Sequence, residues 1–173
     1  MINQAPSLFV LDTSVFIQAH RLYYAQDLCP GFWDSLTHYC SEGRVLSIDR
    51  VRDEMLNNQD QLSEWVNQAP DSLFVSSAEP EVVNAFTDMM DWVQGNEQFQ
   101  LEAKEEFAGV ADGWLAAYAR VHSAVVVTQE VYSPGVRKRV PLPNVCREFG
   151  VDYRDTFEML RELKVSFDWR RSP

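Results

Sequence analysis

Three consecutive valines, Val125, Val126 and Val127 in "AVVVT", constrain this chain more than any other feature, because they form a strand with no polar face. Such a strand must be covered on both sides, which is the condition of a strand in a parallel sheet packed between helices. Further short apolar runs at 8–11, 44–48 ("RVLSI"), 73–76 ("LFVS") and 151–153 predict four more strands. The intervening segments carry a helical period. Residues 31–43 repeat Phe32, Leu36 and Tyr39 and end on Gly43, a residue suited to a C-terminal cap. Residues 79–96 set Val82, Val83, Phe86, Met89, Met90 and Val93 on a broad stripe that ends near Gly95, and residues 109–123 set Val110, Trp114, Ala117, Tyr118 and Val121 on one face. Strands alternating with helices of this length predict right-handed crossovers and an α/β fold, a parallel sheet covered on both faces. No repeat, low-complexity tract or flexible linker interrupts the pattern, so a single domain is expected over 1–173.

Composition narrows the classes of function. With 46% hydrophobic and 24% charged residues the chain can build a packed core. It offers no run of roughly 20 apolar residues to span a bilayer, and "MINQAPS" lacks the parts of a signal peptide, so no membrane partner and a cytoplasmic location are expected. Cys29, Cys40 and Cys146 are odd in number and predict reduced thiols; a zinc site at Cys29, His38 and Cys40 is disfavoured by its loose spacing and lack of a second cluster. His20 and His122 likewise form no pair at metal-ligand spacing. The net charge of −11 opposes a nucleic-acid partner unless acids are gathered around a cation and basic residues are local. One basic run exists, Arg137, Lys138 and Arg139, which could equally be a solvated loop.

The acids themselves converge. In a parallel sheet the ligand edge is the carboxyl end of the strands, where the crossover helices begin. Asp12 closes the first strand, and Glu54 lies in the first turns of the helix after the second, behind Asp49 as its expected cap. Asp112 opens the helix that leads to the fourth strand, and Glu130 stands two residues beyond that strand. Each could be a helix cap, since carboxylates accept N–H bonds at helix N-termini. Asp12, at the end of a central apolar strand, is the least cap-like. Four carboxylates in a partly dry cleft repel one another unless a cation sits among them, and oxygen donors select a hard ion such as Mg²⁺ or Mn²⁺. Thr13 and Ser14 then supply hydroxyls and amides that orient Asp12 or a bound phosphate.

Two rivals fail on the letters. A phosphotransfer nucleophile of the haloacid-dehalogenase type needs a second acid two residues on, where Ser14 stands; an adhesion-type D-x-S-x-S site meets Phe16 at its last position. No glycine-rich phosphate loop occurs.

"VLDTSVFI", the glutamate of "VRDEM", the acid of "ADGWLAAYA" and the acid of "VVVTQE" together resemble the PIN-domain nucleases, in order and over nearly the whole chain. The pairing of "VVVTQE" with "LPNVCREFGV" is similar to a bacterial PIN-like subfamily of unassigned function, grouped with VapC-type toxins. Two departures stand out: Glu130 replaces the usual Asp, and an extra helical segment, "GNEQFQLEAKEEF", precedes Asp112. The resemblance implies a three-layer α/β/α fold with sheet order 3-2-1-4-5 and Mg²⁺- or Mn²⁺-dependent hydrolysis of RNA phosphodiesters. Asp12, Glu54, Asp112 and Glu130 would be the metal ligands, Arg137, Lys138 and Arg139 the contacts to the backbone, and Asn144 a polar contact near the cleft. It also implies an antitoxin protein and a second copy of the chain as partners. The competing expectation is a PIN-like scaffold that binds without cutting.

Overall fold

The computed structural model describes residues 6–58 and 60–169. Five short strands, β1 (Phe9–Leu11), β2 (Val45–Ile48), β3 (Phe74–Val75), β4 (Val125–Val127) and β5 (Tyr153–Arg154), form one sheet in the order β3-β2-β1-β4-β5. Every pairing is parallel, so both the α/β class and the expected order 3-2-1-4-5 hold. The strands are shorter than their apolar runs, and β5 lies at Tyr153–Arg154 rather than 151–153. Val151 is spent instead on a turn, its N–H bonded to the Cys146 carbonyl.

Helices α1 (Thr13–Gln18) and α2 (Pro30–Ser41), with a π-helical turn at Ala19–Tyr23 between them, connect β1 to β2. The pair α3 (Asp49–Leu56) and α4 (Gln61–Gln68) connects β2 to β3; α5 (Pro80–Gly95), α6 (Leu101–Gly109) and α7 (Asp112–His122) lead to β4; α8 (Leu142–Glu148) leads to β5; and α9 (Thr156–Glu162) follows it. Right-handed crossovers in this strand order place α1 to α4 on one face and α5 to α8 on the other. The packing of α1 on α3, α3 on α4, α5 on α7 and α7 on α8 follows that division.

Phe9, Val10, Leu11, Val126 and Val127 are fully buried, as the central position of β1 and β4 requires. Gly43, at φ 68°, ends the turn after α2 in the left-handed conformation expected of it. The predicted helix faces need two corrections. On α7, Trp114 and Val121 are half-buried, while Leu115, Ala116 and Ala119 are in the core. This helix is enclosed by α5, α6, α8 and the sheet, so nearly every side of it is inside. On α5, Val83 is exposed and Ala85 takes the inner position. The segment before Asp112 is helical, as α6, and packs on α5 and α7. The three cysteines are free and stand at different depths: Cys29 half-buried, Cys40 and Cys146 buried. Cys40 faces Ser72 at 3.5 Å and His38 pairs with Glu42 on the surface, so the zinc grouping does not form. No helix among the described residues is long and apolar enough to cross a membrane.

Candidate functional site

Topology brings the four acids to the carboxyl edge of the sheet, and each is held there differently. Asp12 follows β1 and is buried, at 4% exposure. It occupies the residue before α1 but makes no side-chain cap bond. Instead Ser14 Oγ and Thr128 Oγ1 both donate to its Oδ2, at 2.5 and 2.9 Å. Burial raises its pKa; these two hydroxyls pull the other way and the charge of Glu130 adds to the rise. Ser14 and Thr128 are themselves fixed, accepting the N–H groups of Gln129 and Glu130 at 3.1 Å each.

Glu54 lies on the inner side of α3, where Val51 and Met55 are buried. Thr13 Oγ1 donates to Glu54 Oε2, and the Ala111 N–H donates to Oε1 at 2.8 Å. One carboxylate thus ties α1, α3 and the start of α7 together. Asp49 is not the cap of α3: the helix begins at Asp49, whose Oδ1 accepts from the N–H and hydroxyl of Ser77 at 3.2 and 2.7 Å. Glu130 Oε2 accepts the Leu142 N–H of α8 at 2.7 Å, and its Oε1 stands 3.8 Å from Arg139 Nη1. The cap expectation is therefore met in part by Glu130, which satisfies the first turn of α8 from twelve residues away.

Asp112 is different. It opens α7, is half-buried, and its carboxylate accepts no hydrogen bond among the described residues. Burial raises its pKa well above the ordinary carboxylate range, and the charges of Asp12, Glu130, Glu54 and Glu106 add to the rise in that order. Asp112 is thus near enough to Asp12, Glu54 and Glu130 to feel their charge.

A cleft of about 470 Å³ opens over three of them, lined by Glu54, Asp112 and Glu130 with Glu106, Phe107 and Arg139 among others, while Asp12 is not in its lining. Glu106, from α6, and Thr128, at the end of β4, are site residues that sequence reasoning missed. Glu106 could have been found from the acidic run "EAKEEF" placed just before Asp112; Thr128 had only its position beside the acid-bearing edge as a signal.

The remaining expected contacts separate. The Thr13 hydroxyl orients Glu54 rather than Asp12, while the Thr13 backbone still acts on Asp12. Arg139 reaches the cleft, while Arg137 and Lys138 are exposed and do not line it. Asn144 is buried in α8 and spent on the backbone of one residue: its Oδ1 accepts the Ser133 N–H at 3.0 Å and its Nδ2 donates to the Ser133 carbonyl at 2.8 Å. With both polar groups used, it fixes the loop between β4 and α8 and lines no part of the acid cleft.

Among the described residues no three His, Cys, Asp or Glu side chains are grouped so as to hold a metal ion as they stand. Three of the four acids accept hydrogen bonds from hydroxyls and amides of the protein. The donor set still suits a hard divalent cation: it is made of carboxylate oxygens, and Asp112 has no protein donor to give up.

No curated protein matches the chain. The family described as a domain of unknown function, DUF4411, matches residues 9–167, from β1 to beyond α9 and so across every acid of the cleft. The chain therefore belongs to the DUF4411 family.

Proposed function

We propose that the chain is a metal-dependent nuclease of the PIN type, hydrolysing RNA phosphodiester bonds at the Asp12, Glu54, Asp112 and Glu130 cluster. The observation that carries this reading is Asp112, a half-buried carboxylate with no donor of its own and its pKa pushed up by burial and by four neighbouring acids. Such an arrangement is unfavourable in an apo protein and becomes favourable when a cation joins it. Asp112, Glu54 and Glu130 would hold Mg²⁺ or Mn²⁺ from the cleft wall, with Asp12 beneath. Held by these acids, such an ion would supply the positive charge that activates water and offsets the charge on the leaving oxygen. The chain's own part is positional. Ser14 and Thr128 hold Asp12 in one rotamer, Thr13 and the Ala111 amide hold Glu54, and Arg139 presents the cleft with a cation for a phosphate oxygen. No side-chain nucleophile is needed.

The finer assignment, a toxin held in check by an antitoxin and acting in the cytoplasm, alone or as a homodimer, rests on the resemblance of "VLDTSVFI" and "VVVTQE" to VapC-type sequences. Induced expression with and without the adjacent reading frame tests it. A second reading, a PIN-like scaffold that binds without cutting, is favoured by the use of Glu54 and Glu130 as internal braces.

Incubation of the purified protein with labelled RNA and DNA, in Mn²⁺, Mg²⁺ or chelator, separates the two. The nuclease reading expects cleavage that stops in chelator and in Asp112→Asn. Cleavage that persists in either condition removes the assignment, and none in any metal leaves the scaffold.

A further inference from the structure

Arg50 stands out among the arginines near the site. Its guanidinium carbon lies 3.8 Å above the Trp114 ring, and the other face of Trp114 is covered by Phe86, stacked at 3.8 Å and 11°. Its Nε donates to Ser77 Oγ at 3.1 Å, and Ser77, almost wholly buried, is fixed by Asp49. The two Nη groups make no hydrogen bond or ion pair among the described residues. Arg139, by contrast, is already paired with Glu130. Arg50 is also well placed. It precedes Glu54 by four residues on α3, which puts the two on one helix face about 5–6 Å apart at Cβ. Its platform, Trp114, lies in the first turn of α7, the turn that Asp112 opens, although the two side chains leave the helix on different sides.

We infer that Arg50 is the phosphate anchor of the site: a guanidinium immobilised on Trp114 one helical turn before Glu54, which holds a phosphodiester of a single nucleic-acid strand next to the acid cleft. A planar guanidinium with two outward amino groups matches a phosphate's pair of oxygens. Its rotamer freedom is already lost to Trp114 and Ser77, so little more is lost on binding. Strong local positive charge is what an acidic chain of net charge −11 needs where a backbone lies; of the basic run only Arg139 lines the cleft, its charge partly offset by Glu130, and Arg50, outside that lining, would extend the positive charge along the same edge. The inference rests on the nuclease reading above and deepens it by naming the group that meets the substrate backbone.

Fluorescence anisotropy tests it, using labelled single-stranded RNA and DNA of the same mixed sequence in Ca²⁺ across a salt series, with Mn²⁺-dependent cleavage run alongside. Arg50→Gln is expected to weaken binding roughly tenfold, the scale of one charge-assisted hydrogen-bonding group, and to flatten the slope of log K against log salt by about 0.7, one phosphate on a single strand. Arg50→Lys should restore the slope but only part of the affinity, and the Arg137→Gln, Lys138→Gln double variant should do much less than Arg50→Gln. Equal losses on RNA and DNA support the anchor, because the phosphodiester is common to both; a loss on RNA alone overturns it in favour of a sugar contact. Wild type that binds and cleaves while Arg50→Gln keeps its affinity and slope overturns the anchor and leaves the nuclease reading standing. Weaker binding with an unchanged slope and a lowered Tm makes Arg50 a packing residue and also overturns it. Wild type that neither binds nor cleaves overturns both.

Discussion

Asp112 shows how one side chain can oppose the fold that contains it. Its pKa is raised above the unfolded value of about 3.9. The folded state therefore binds its proton more tightly, and its contribution to stability falls as pH rises from about 4 through the raised value. Asp112→Asn removes that loss. Without metal, the variant should melt at an equal or higher temperature than wild type at neutral pH, with the gap closing toward about pH 4; thermal melts over that range check it. Glu54 predicts the opposite sign. Glu54→Ala strands the Thr13 hydroxyl and the Ala111 N–H, and should destabilise the protein by about 1–3 kcal/mol in denaturant melts. The positions of these acids were readable from the sequence because strand ends and helix starts in a parallel sheet share an edge. Their bonding was not. Whether a hydroxyl serves Asp12 or Glu54 depends on rotamers, and Thr13 and Ser14, adjacent in sequence, point to different acids.

Helix α7 carries both the unpaired acid and the platform for Arg50, and it can do so because Gly113 lets Phe86 approach. A Cβ there would meet Phe86 Cε2 at 2.9 Å and Phe107 Cε1 at 3.1 Å. Phe86 cannot easily withdraw, being stacked on Trp114. Gly113→Ala should destabilise the fold by about 1–2 kcal/mol, as crowding outweighs the helix propensity gained; equilibrium urea melts measure it. The loop into α8 has its own clamp, and Asn144→Ala should speed proteolysis near Gly135 more than it lowers Tm, by freeing both the N–H and the carbonyl of Ser133. Elements with a clear period, such as α2 and α5, were legible in the sequence. The faces of α7 were not, because a helix enclosed on nearly all sides has no polar stripe to orient it. The acidic run "EAKEEF" signals an acid near Asp112, but which of its residues enters the cleft depends on how α6 seats against α5 and α7, and that choice of Glu106 is a tertiary matter.

Over the whole molecule, a net charge of −11 with several acids converging on one edge makes stability sensitive to counterions. Moderate salt should raise the apo Tm by screening, and Mn²⁺ should raise it further at far lower concentration in wild type than in Asp112→Asn, by mass action on the folded state. Equal responses of the two proteins to Mn²⁺ would separate ion binding from Asp112. The free thiols add a gauge of depth to the same molecule. Cys29 is half-buried, Cys40 is buried in the last turn of α2 against Ser72, and Cys146 sits fully buried in α8, its thiol held far above the ordinary range first by burial and then by the charge of Asp112 and Asp12. A pulse of alkylating reagent should mark Cys29 in the folded chain and Cys146 last, at a rate that follows global unfolding. The order in which the three labels arrive is a record, written by the chain on itself, of which part of the molecule comes apart first.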